Sequence, residues 1–194
     1  MLTLSLDGQV VVVSGGSRGI GAAAVRLLAD AGASVAFSFH TNRAAAEAVV
    51  AHAPDRITAL AADARNPQSG EALVAAAVGR FGRLDAAVAN AGIWNAADVA
   101  LPDLTPAAWD EMLASNLTSV YSLARAAVVQ MQRQPRPENA APRGRIIAIA
   151  SPAGQRGEPW HTHYGASKAG VIGFVRGLAP EVARAGILVN CIAP

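Results

Sequence analysis

The side chains with the clearest potential for chemistry are Tyr164 and Lys168, which stand four residues apart in the run Tyr-Gly-Ala-Ser-Lys. Lys168 is the only lysine in a chain of 194 residues that has 16 Lys and Arg, and Tyr164 is one of two tyrosines. Four residues make about one helical turn, so the phenol and the ammonium would share a helix face. Because a nearby positive charge favours the phenolate, the pair indicates acid–base chemistry. The alternative is a chance pair on a solvated helix.

A second pattern, near the amino terminus, is typical of a phosphate-binding turn. Four consecutive valines at 10–13 predict a buried parallel strand, and the apolar spacing from Ile20 to Leu28 predicts a helix. Glycines between them would permit a tight turn and a close approach of the backbone to a pyrophosphate, at a helix end with unpaired N–H groups. A flexible turn without a ligand is the alternative, but the strand and the helix favour nucleotide binding. The predicted contacts in this loop are Gly15, Ser17, Arg18, Gly19, Ile20 and Gly21.

Strand-like and helix-like segments alternate along the chain, which predicts an α/β fold with a doubly wound parallel sheet and helices on both faces. We predict strands at 10–14, 34–39, 57–62, 84–89, 145–150 and 188–192, and helices at 20–31, 43–52, 67–81, 110–133 and 164–185. The proline-rich stretch 134–142 predicts an exposed loop. With 194 residues, 52% of them hydrophobic, we expect a single domain over residues 1–194.

Polar residues follow the predicted strands directly. Ser14, His40, Asp63, Asn90 and Ser151 all stand at such positions. Because open parallel sheets bind ligands outside the carboxyl ends of their strands, these residues are candidates for one site. Asp63 could instead cap a helix, and asparagine is a frequent turn residue.

Taken together, these segments resemble the short-chain dehydrogenase/reductase family over essentially the whole chain, and are similar to its 3-oxoacyl-acyl-carrier-protein reductases. The family's glycine pattern matches residues 14–21, and its Asn-Ala-Gly motif matches Asn90, Ala91 and Gly92. The resemblance implies the strand order 3-2-1-4-5-6. It also implies a catalytic tetrad, which falls on Asn116, Ser151, Tyr164 and Lys168.

The resemblance gives each member of the tetrad a role. Tyr164 exchanges a proton with the substrate oxygen, Ser151 holds that oxygen, and Lys168 supports the phenolate and binds the nicotinamide ribose. Asn116 would support a water relay to Lys168, whereas without the resemblance it would be a solvent-facing polar residue of a helix. The implied function is an NADP(H)-dependent oxidoreductase that transfers hydride between nicotinamide and a carbonyl compound, a 3-oxoacyl thioester or another ketone, or a secondary alcohol.

The family continues past the position that matches Pro194 into a Pro-Gly motif, a substrate lid and a last strand. From this resemblance we expect the chain to be C-terminally incomplete, to lack that strand and lid, to use Pro194 as a cofactor contact and to catalyse weakly. The alternative function is a dinucleotide-binding protein with little or no catalysis, either a regulatory binder or a truncated enzyme.

The residues after the second strand bear on the choice of cofactor. An acid there would accept hydrogen bonds from the ribose hydroxyls and repel a 2′-phosphate, but the chain carries His40, Thr41, Asn42 and Arg43. Arg18 and Arg43 could both reach a 2′-phosphate, although Arg43 could equally be a solvated surface charge. We therefore expect NADP(H) as the preferred cofactor and NAD(H) as the second choice.

Two further sets of contacts are expected. By resemblance, Asp63 with Ala64 meets the adenine ring. Trp94 and Trp160 are placed to line a substrate pocket with Ser151, although buried aromatic residues more often belong to a core.

Composition excludes several other partners. The formal net charge is +2 and the arginines are scattered, which argues against a nucleic-acid surface. No apolar run is long enough to span a bilayer, and the four histidines show no metal-ligand spacing. A single cysteine, Cys191, and the lack of a basic and apolar leader fit a cytoplasmic protein. The expected partner is a small-molecule carbonyl or alcohol substrate.

The helices at 110–133 and 164–185 carry more apolar residues than one sheet-facing stripe needs. The family pairs these helices across a two-fold axis, so we expect a homodimer or a homotetramer. The residues expected at that interface are Val120, Tyr121, Leu123, Val128, Val171, Phe174, Val175 and Leu178.

Overall fold

A six-stranded parallel sheet organises the computed structural model, which describes residues 5–135 and 141–194. Its strands are β1 Val10–Val13, β2 Ser34–Phe39, β3 Ile57–Ala61, β4 Ala86–Ala89, β5 Gly144–Ile149 and β6 Ile187–Ile192. They lie in the order β3-β2-β1-β4-β5-β6, and every neighbouring pair is parallel. The predicted fold class and strand order are therefore confirmed.

Helices cover both faces of this open sheet. They are α1 Gly19–Asp30, α2 Arg43–Val50, α3 Ser69–Phe81, α4 Pro106–Leu113, α5 Ser119–Arg133, α6 Ala153–Arg156 and α7 Thr162–Val182. Residues 136–140 of the predicted loop at 134–142 lie outside the described residues. Within the described part of the chain, no helix combines the length and the apolar character that crossing a membrane requires.

The four valines of β1 explain why this strand lies in the middle of the sheet. All four are buried, and β1 pairs with β2 on one side and β4 on the other. Alternate side chains point to opposite faces, so Val10 and Val12 join the core under α3, α5 and α7, while Val11 and Val13 join the core under α1 and α2. This packing fixes the point at which the chain leaves the sheet for the glycine loop.

The helix predicted at 110–133 is two helices joined by a π turn at Ala114–Thr118. The first of them begins earlier, at Pro106, because the Thr105 side chain accepts a hydrogen bond of 3.2 Å from the Ala108 N–H and proline suits the first helical position. The Thr-Pro pair was a start signal that apolar periodicity alone does not show. A π turn inserts an extra residue into the helix and changes the direction of the side chains that follow.

The short helix α6, which was not predicted, packs against α7. A Cβ atom on Gly154 would lie 2.5 Å from the carbonyl carbon of Lys168, so only glycine allows the two helices to approach this closely. Helix α7 begins at Thr162, two residues before the predicted start. The segment between β5 and α7 is therefore ordered directly beside the Tyr164–Lys168 pair.

Half of the apolar residues expected at a subunit interface belong to the core of the chain itself. The buried ones are Val120, Leu123, Val171 and Val175. They are buried because α5 packs against α3 as well as the sheet, and α7 packs against α6, β5 and β6, so each helix needs more than one apolar face within the monomer. Tyr121, in contrast, is 49% exposed.

Candidate active site

A cleft of about 600 Å³ opens at the carboxyl ends of the central strands. Twelve of the predicted cofactor contacts line it: Gly15, Ser17, Arg18, Gly19, Ile20, Gly21, His40, Asp63, Ala64, Asn90, Ala91 and Gly92. The sequence analysis did not single out the other lining residues, which are Ser38, Phe39, Ala62, Arg65, Ile93, Glu111 and Ser115. The cleft lies where an open parallel sheet binds its ligands.

The glycine loop presents backbone rather than side chains to this cleft. Gly19 has a φ of 54° and no atom within 4 Å of the place where a Cβ would stand. A Cβ on Gly21 would collide with the carbonyl group of Gly15, so α1 packs too closely on the loop for any other residue. The first turn of α1 has neither a side-chain cap nor an acidic residue. Its N–H groups and the positive end of its dipole are therefore suited to an anion.

Asn90 fastens the glycine loop to the end of β4. Its amide nitrogen donates to the carbonyl oxygens of Ser14 at 3.0 Å and Gly15 at 3.1 Å. In return, the Ser14 hydroxyl accepts from the N–H groups of Asn90 and Ala91, each at 3.0 Å. Both amide hydrogens of Asn90 are thus used inside the protein, and the side chain holds the shape of the cleft.

The far end of the cleft carries a chain of ionic contacts centred on Arg65. The guanidinium donates from Nε and Nη2 to the Asp63 carboxylate, at 2.7–3.1 Å, and from Nη1 to Glu111 Oε1 at 3.0 Å. His40 Nε2 lies 3.5 Å from Asp63 Oδ2. Hydrogen bonding to Arg65 is the main reason why the pKa of Asp63 is lowered. Asp63 is therefore an ionised acceptor at the end of β3. An arginine two residues after that acid was the sequence signal for this contact.

The three residues after His40 do not line the cleft. Asn42 caps α2, and its Oδ1 accepts from the Ala45 N–H at 2.9 Å. The Arg43 guanidinium lies 6.0 Å from the centre of the Phe39 ring. Thr41 is exposed. Of the two arginines predicted to reach a 2′-phosphate, only Arg18 borders the cleft.

Lys168 is a buried cation at the other end of the site. It is 5% exposed, its Nζ donates to the carbonyl oxygen of Ile149 at 2.8 Å, and it lies 5.9 Å from the centre of the Tyr164 ring. Burial lowers the pKa of Lys168 to about 8. A Cβ on Gly92, which lines the cleft, would be 3.5 Å from Lys168 Nζ. The Tyr164–Lys168 pair therefore lies next to the cleft on the side of β4 and β5.

Asn116 is completely buried, so its interpretation as a solvent-facing helix residue is wrong. Its Oδ1 accepts from the Ile93 N–H at 2.7 Å, and its Nδ2 donates to the Ile93 carbonyl oxygen at 2.9 Å. Nδ2 also lies 3.2 Å from Ser167 Oγ, which donates to the Tyr164 carbonyl oxygen at 2.7 Å. The π turn directs this amide inward, where it joins the segment after β4 to α7.

The remaining predicted residues surround this centre without lining the cleft. Ser151 follows β5, and its Oγ accepts from the Ala153 N–H at 3.2 Å. Trp94 and Trp160 are both about half exposed, and Trp94 stacks on His161 with the ring centres 5.2 Å apart. Pro194 is exposed beyond the end of β6.

Known proteins resemble this chain in sequence and in fold. The model of the short chain dehydrogenase family matches residues 9–194. A 3-oxoacyl-[acyl-carrier-protein] reductase from Vibrio cholerae is 37% identical over 98% of this chain and 74% of its own length. An acetoacetyl-CoA reductase from a Synechocystis species is 40% identical over 100% of this chain and 74% of its own length. A mutant short-chain dehydrogenase/reductase from Serratia marcescens, a solved structure, superposes with a TM-score of 0.86 at 34% identity, covering 97% of this chain and 74% of that one.

Proposed function

The chain belongs to the short-chain dehydrogenase family, and from that premise we propose that it is a ketoreductase with Tyr164 as its general acid or base. The reaction would transfer hydride between a nicotinamide cofactor and a carbonyl compound or a secondary alcohol. One observation carries the proposal: a buried lysine lies 5.9 Å from the centre of a tyrosine ring, beside a cleft lined by a glycine loop. That arrangement supports a proton donor next to a dinucleotide site.

The cleft has the chemistry that a nicotinamide dinucleotide needs. The open space above Gly19 and the uncapped first turn of α1 suit its pyrophosphate, and the ionised Asp63 suits a hydrogen-bond donor on its adenine ring. When bound, such a cofactor supplies or accepts the hydride. Lys168 would hydrogen-bond the nicotinamide ribose, as the family resemblance implies.

The side chains of the protein would handle the proton. In the reducing direction, the Tyr164 hydroxyl donates its proton to the carbonyl oxygen of the substrate as the carbon is reduced. Ser151 would hold that oxygen through a hydrogen bond. The ammonium of Lys168 would stabilise the phenolate that Tyr164 becomes, and this stabilisation would be strong because Lys168 is buried. Asn116 would keep α7 in place relative to β4, through Ile93 and Ser167.

We further propose that the substrate is a 3-oxoacyl thioester or a related ketone. Two relatives that are 37% and 40% identical are named for reductions of this class. The test is reduction of acetoacetyl-CoA, followed by the loss of NADPH absorbance. If the protein binds NADPH but oxidises it with neither acetoacetyl-CoA nor simple ketones, it is a dinucleotide-binding protein and the ketoreductase proposal fails.

NADP(H) is the cofactor that we propose, since His40 stands at the cleft where an acid would repel a 2′-phosphate. His40→Asp should raise the NADPH dissociation constant about tenfold through like-charge repulsion, while the NADH constant stays level or falls. Both constants can be measured by the fluorescence of the reduced cofactor. His40→Asn is the matched control, because it removes the imidazole without adding charge. An unmodified protein that already prefers NADH would show the assignment to be wrong.

We also propose that the protein self-associates through the outer face of α5. Tyr121 and Val129 are exposed on that face, at 49% and 38%. Light scattering at micromolar concentration should show a dimer or a tetramer, and Tyr121→Glu should shift it towards monomer because a charge would be buried at the contact. Leu27→Glu, at an exposed apolar position on α1, is the control and should leave the oligomer intact. Monomeric unmodified protein would contradict the proposal.

A further inference from the structure

We propose that His161 is a positioning residue. It attaches segment 94–99, on the substrate side, to the start of α7 and determines which face of the Trp94 ring is exposed. The proposal rests on the proposed function, because the substrate is assumed to meet this side of the site. His161 stands immediately before α7, three residues ahead of Tyr164, and is 4% exposed. A buried imidazole at that point is not needed for the proton transfer described above.

Both nitrogens of the His161 ring face backbone carbonyl groups. Nε2 lies 2.8 Å from the carbonyl oxygen of Asn95, and Nδ1 lies 3.2 Å from that of Pro159. The carboxylate of Asp98 also faces Nδ1, at 3.9 Å. A carbonyl oxygen can only accept, so the shorter contact, from Nε2 to Asn95, is a hydrogen bond in the tautomer that carries its N–H on Nε2. The ring thus connects two segments that are 66 residues apart in the sequence.

Two more contacts join the same segments. The Trp94 ring stacks on the His161 ring with an interplanar angle of 15°. The Val99 N–H donates to the Trp160 carbonyl oxygen at 3.1 Å. Segment 94–99 is therefore attached to residues 159–161 at both of its ends and at Asn95.

The backbone at Trp160 shows that this attachment is held firmly. Trp160 has a φ of 64°, and it is the one residue other than glycine with a positive φ among residues 5–135 and 141–194. Bulky side chains rarely adopt this conformation, and it persists where the surroundings over-determine it. Here the neighbouring His161 and the bond to Val99 supply that restraint.

From its place just before α7, His161 also takes part in closing the first turn of that helix. Its carbonyl oxygen accepts from the Gly165 N–H at 2.9 Å, which closes the turn that carries Tyr164. A displacement of His161 would therefore move the donor hydroxyl as well as Trp94. One face of Trp94 is covered by the imidazole, and since Trp94 is 51% exposed, the rest of the ring is available to an apolar part of the substrate.

His161→Phe tests the proposal, because phenylalanine keeps a ring under Trp94 and removes the ring nitrogen that faces the Asn95 carbonyl oxygen. We expect faster amide hydrogen exchange in residues 94–99 and in the first turn of α7, together with a rise of about tenfold in KM for acetoacetyl-CoA and a smaller fall in kcat. The NADPH dissociation constant should stay within about twofold, since His161 does not line the cofactor cleft.

Two further variants make the result specific. His161→Gln supplies an amide N–H for the Asn95 carbonyl. Residues 94–99 should therefore keep much of their protection from hydrogen exchange, and the KM should stay closer to that of the unmodified protein. His52→Phe is the matched control, because His52 contacts Asp30 away from the cleft, and it should change none of these values. If His161→Phe does not fold, His161→Gln is compared with the unmodified protein instead. Full loss of protection from hydrogen exchange in residues 94–99 of His161→Gln would then overturn the proposal.

The outcomes separate this inference from the proposed function. If the unmodified protein reduces no carbonyl compound, the proposed function fails, and hydrogen exchange still decides whether His161 fastens the segment. If the protein is active and His161→Phe exchanges and reacts like His52→Phe, the inference is wrong. A rise in KM without faster exchange in residues 94–99 also overturns it, since the effect would then not run through this segment.

Discussion

Tyr164→Phe is expected to lower kcat for carbonyl reduction by about 10² to 10⁴-fold, while NADPH binding stays nearly unchanged. Phenylalanine keeps the ring beside Lys168 and removes only the hydroxyl that we propose as the proton donor. Because the ring stays in place and only the proposed proton donor is lost, the effect should fall on turnover. The measurements are kcat with acetoacetyl-CoA and the NADPH dissociation constant by fluorescence titration.

The other tyrosine provides a matched control. Tyr121 is 49% exposed on α5, and Tyr121→Phe removes an identical hydroxyl from a position outside the site. It should retain full activity. Equal turnover in Tyr164→Phe and Tyr121→Phe would remove Tyr164 from the mechanism.

Lys168→Met is the second variant with a large expected effect, a loss of about 10²-fold or more in kcat, because an apolar side chain of similar length cannot stabilise the phenolate. Burial lowers the pKa of Lys168 to about 8, so the unmodified enzyme should lose reducing activity as the pH rises through that value. The residual activity of Lys168→Met should lack this step. A pH–rate profile for both proteins checks the expectation.

The same burial has a consequence for stability. The folded protein holds the Lys168 pKa at about 8, below its ordinary value of 10.5, so the unfolded chain binds more protons between these two pH values. Stability should therefore increase with pH across this window, by up to about 3 kcal/mol at 1.36 kcal/mol for each pH unit. Below about pH 8 the folded protein holds Lys168 as a buried charge, and its stability is reduced by the full amount.

Urea unfolding on either side of the window, for unmodified protein and Lys168→Met, isolates this contribution from the other titrating groups. The free energy of unfolding should rise more steeply with pH in the unmodified protein. Parallel curves would mean that Lys168 is solvated, and the basis for its role in catalysis would weaken.

The order of elements was predictable because it depends on local patterns. Four consecutive valines directly before a glycine-rich turn are typical of a central parallel strand, and period-2 and period-3.6 apolar spacing separate strands from helices. The glycine loop was equally visible, since glycines are required wherever α1 packs directly on the turn before it. The spacing of Tyr164 and Lys168 on one helix face needed only the geometry of a helical turn.

Local sequence patterns do not predict the long-range contacts that surround these residues in the folded protein. Asn116 was seen as a motif residue, but its burial depends on a π turn and on bonds to Ile93, 23 residues away in the sequence. The position of Arg65, two residues after Asp63, was a local signal for one of its contacts, but its other partner, Glu111, is 46 residues distant. The contact of His161 with Asn95 joins residues that are 66 apart in the sequence, so no local pattern predicts it.

By itself, the sequence determined the α/β alternation, the glycine loop and the identity of the residues with chemical potential, because propensity and periodicity act over a few neighbouring residues. The tertiary structure decided which of them are buried, charged or held by the backbone. Desolvation of Lys168 and the inward turn of Asn116 both arise when distant segments exclude water from one another. Those are properties of packed surfaces, and no short window of sequence contains both of the surfaces that meet.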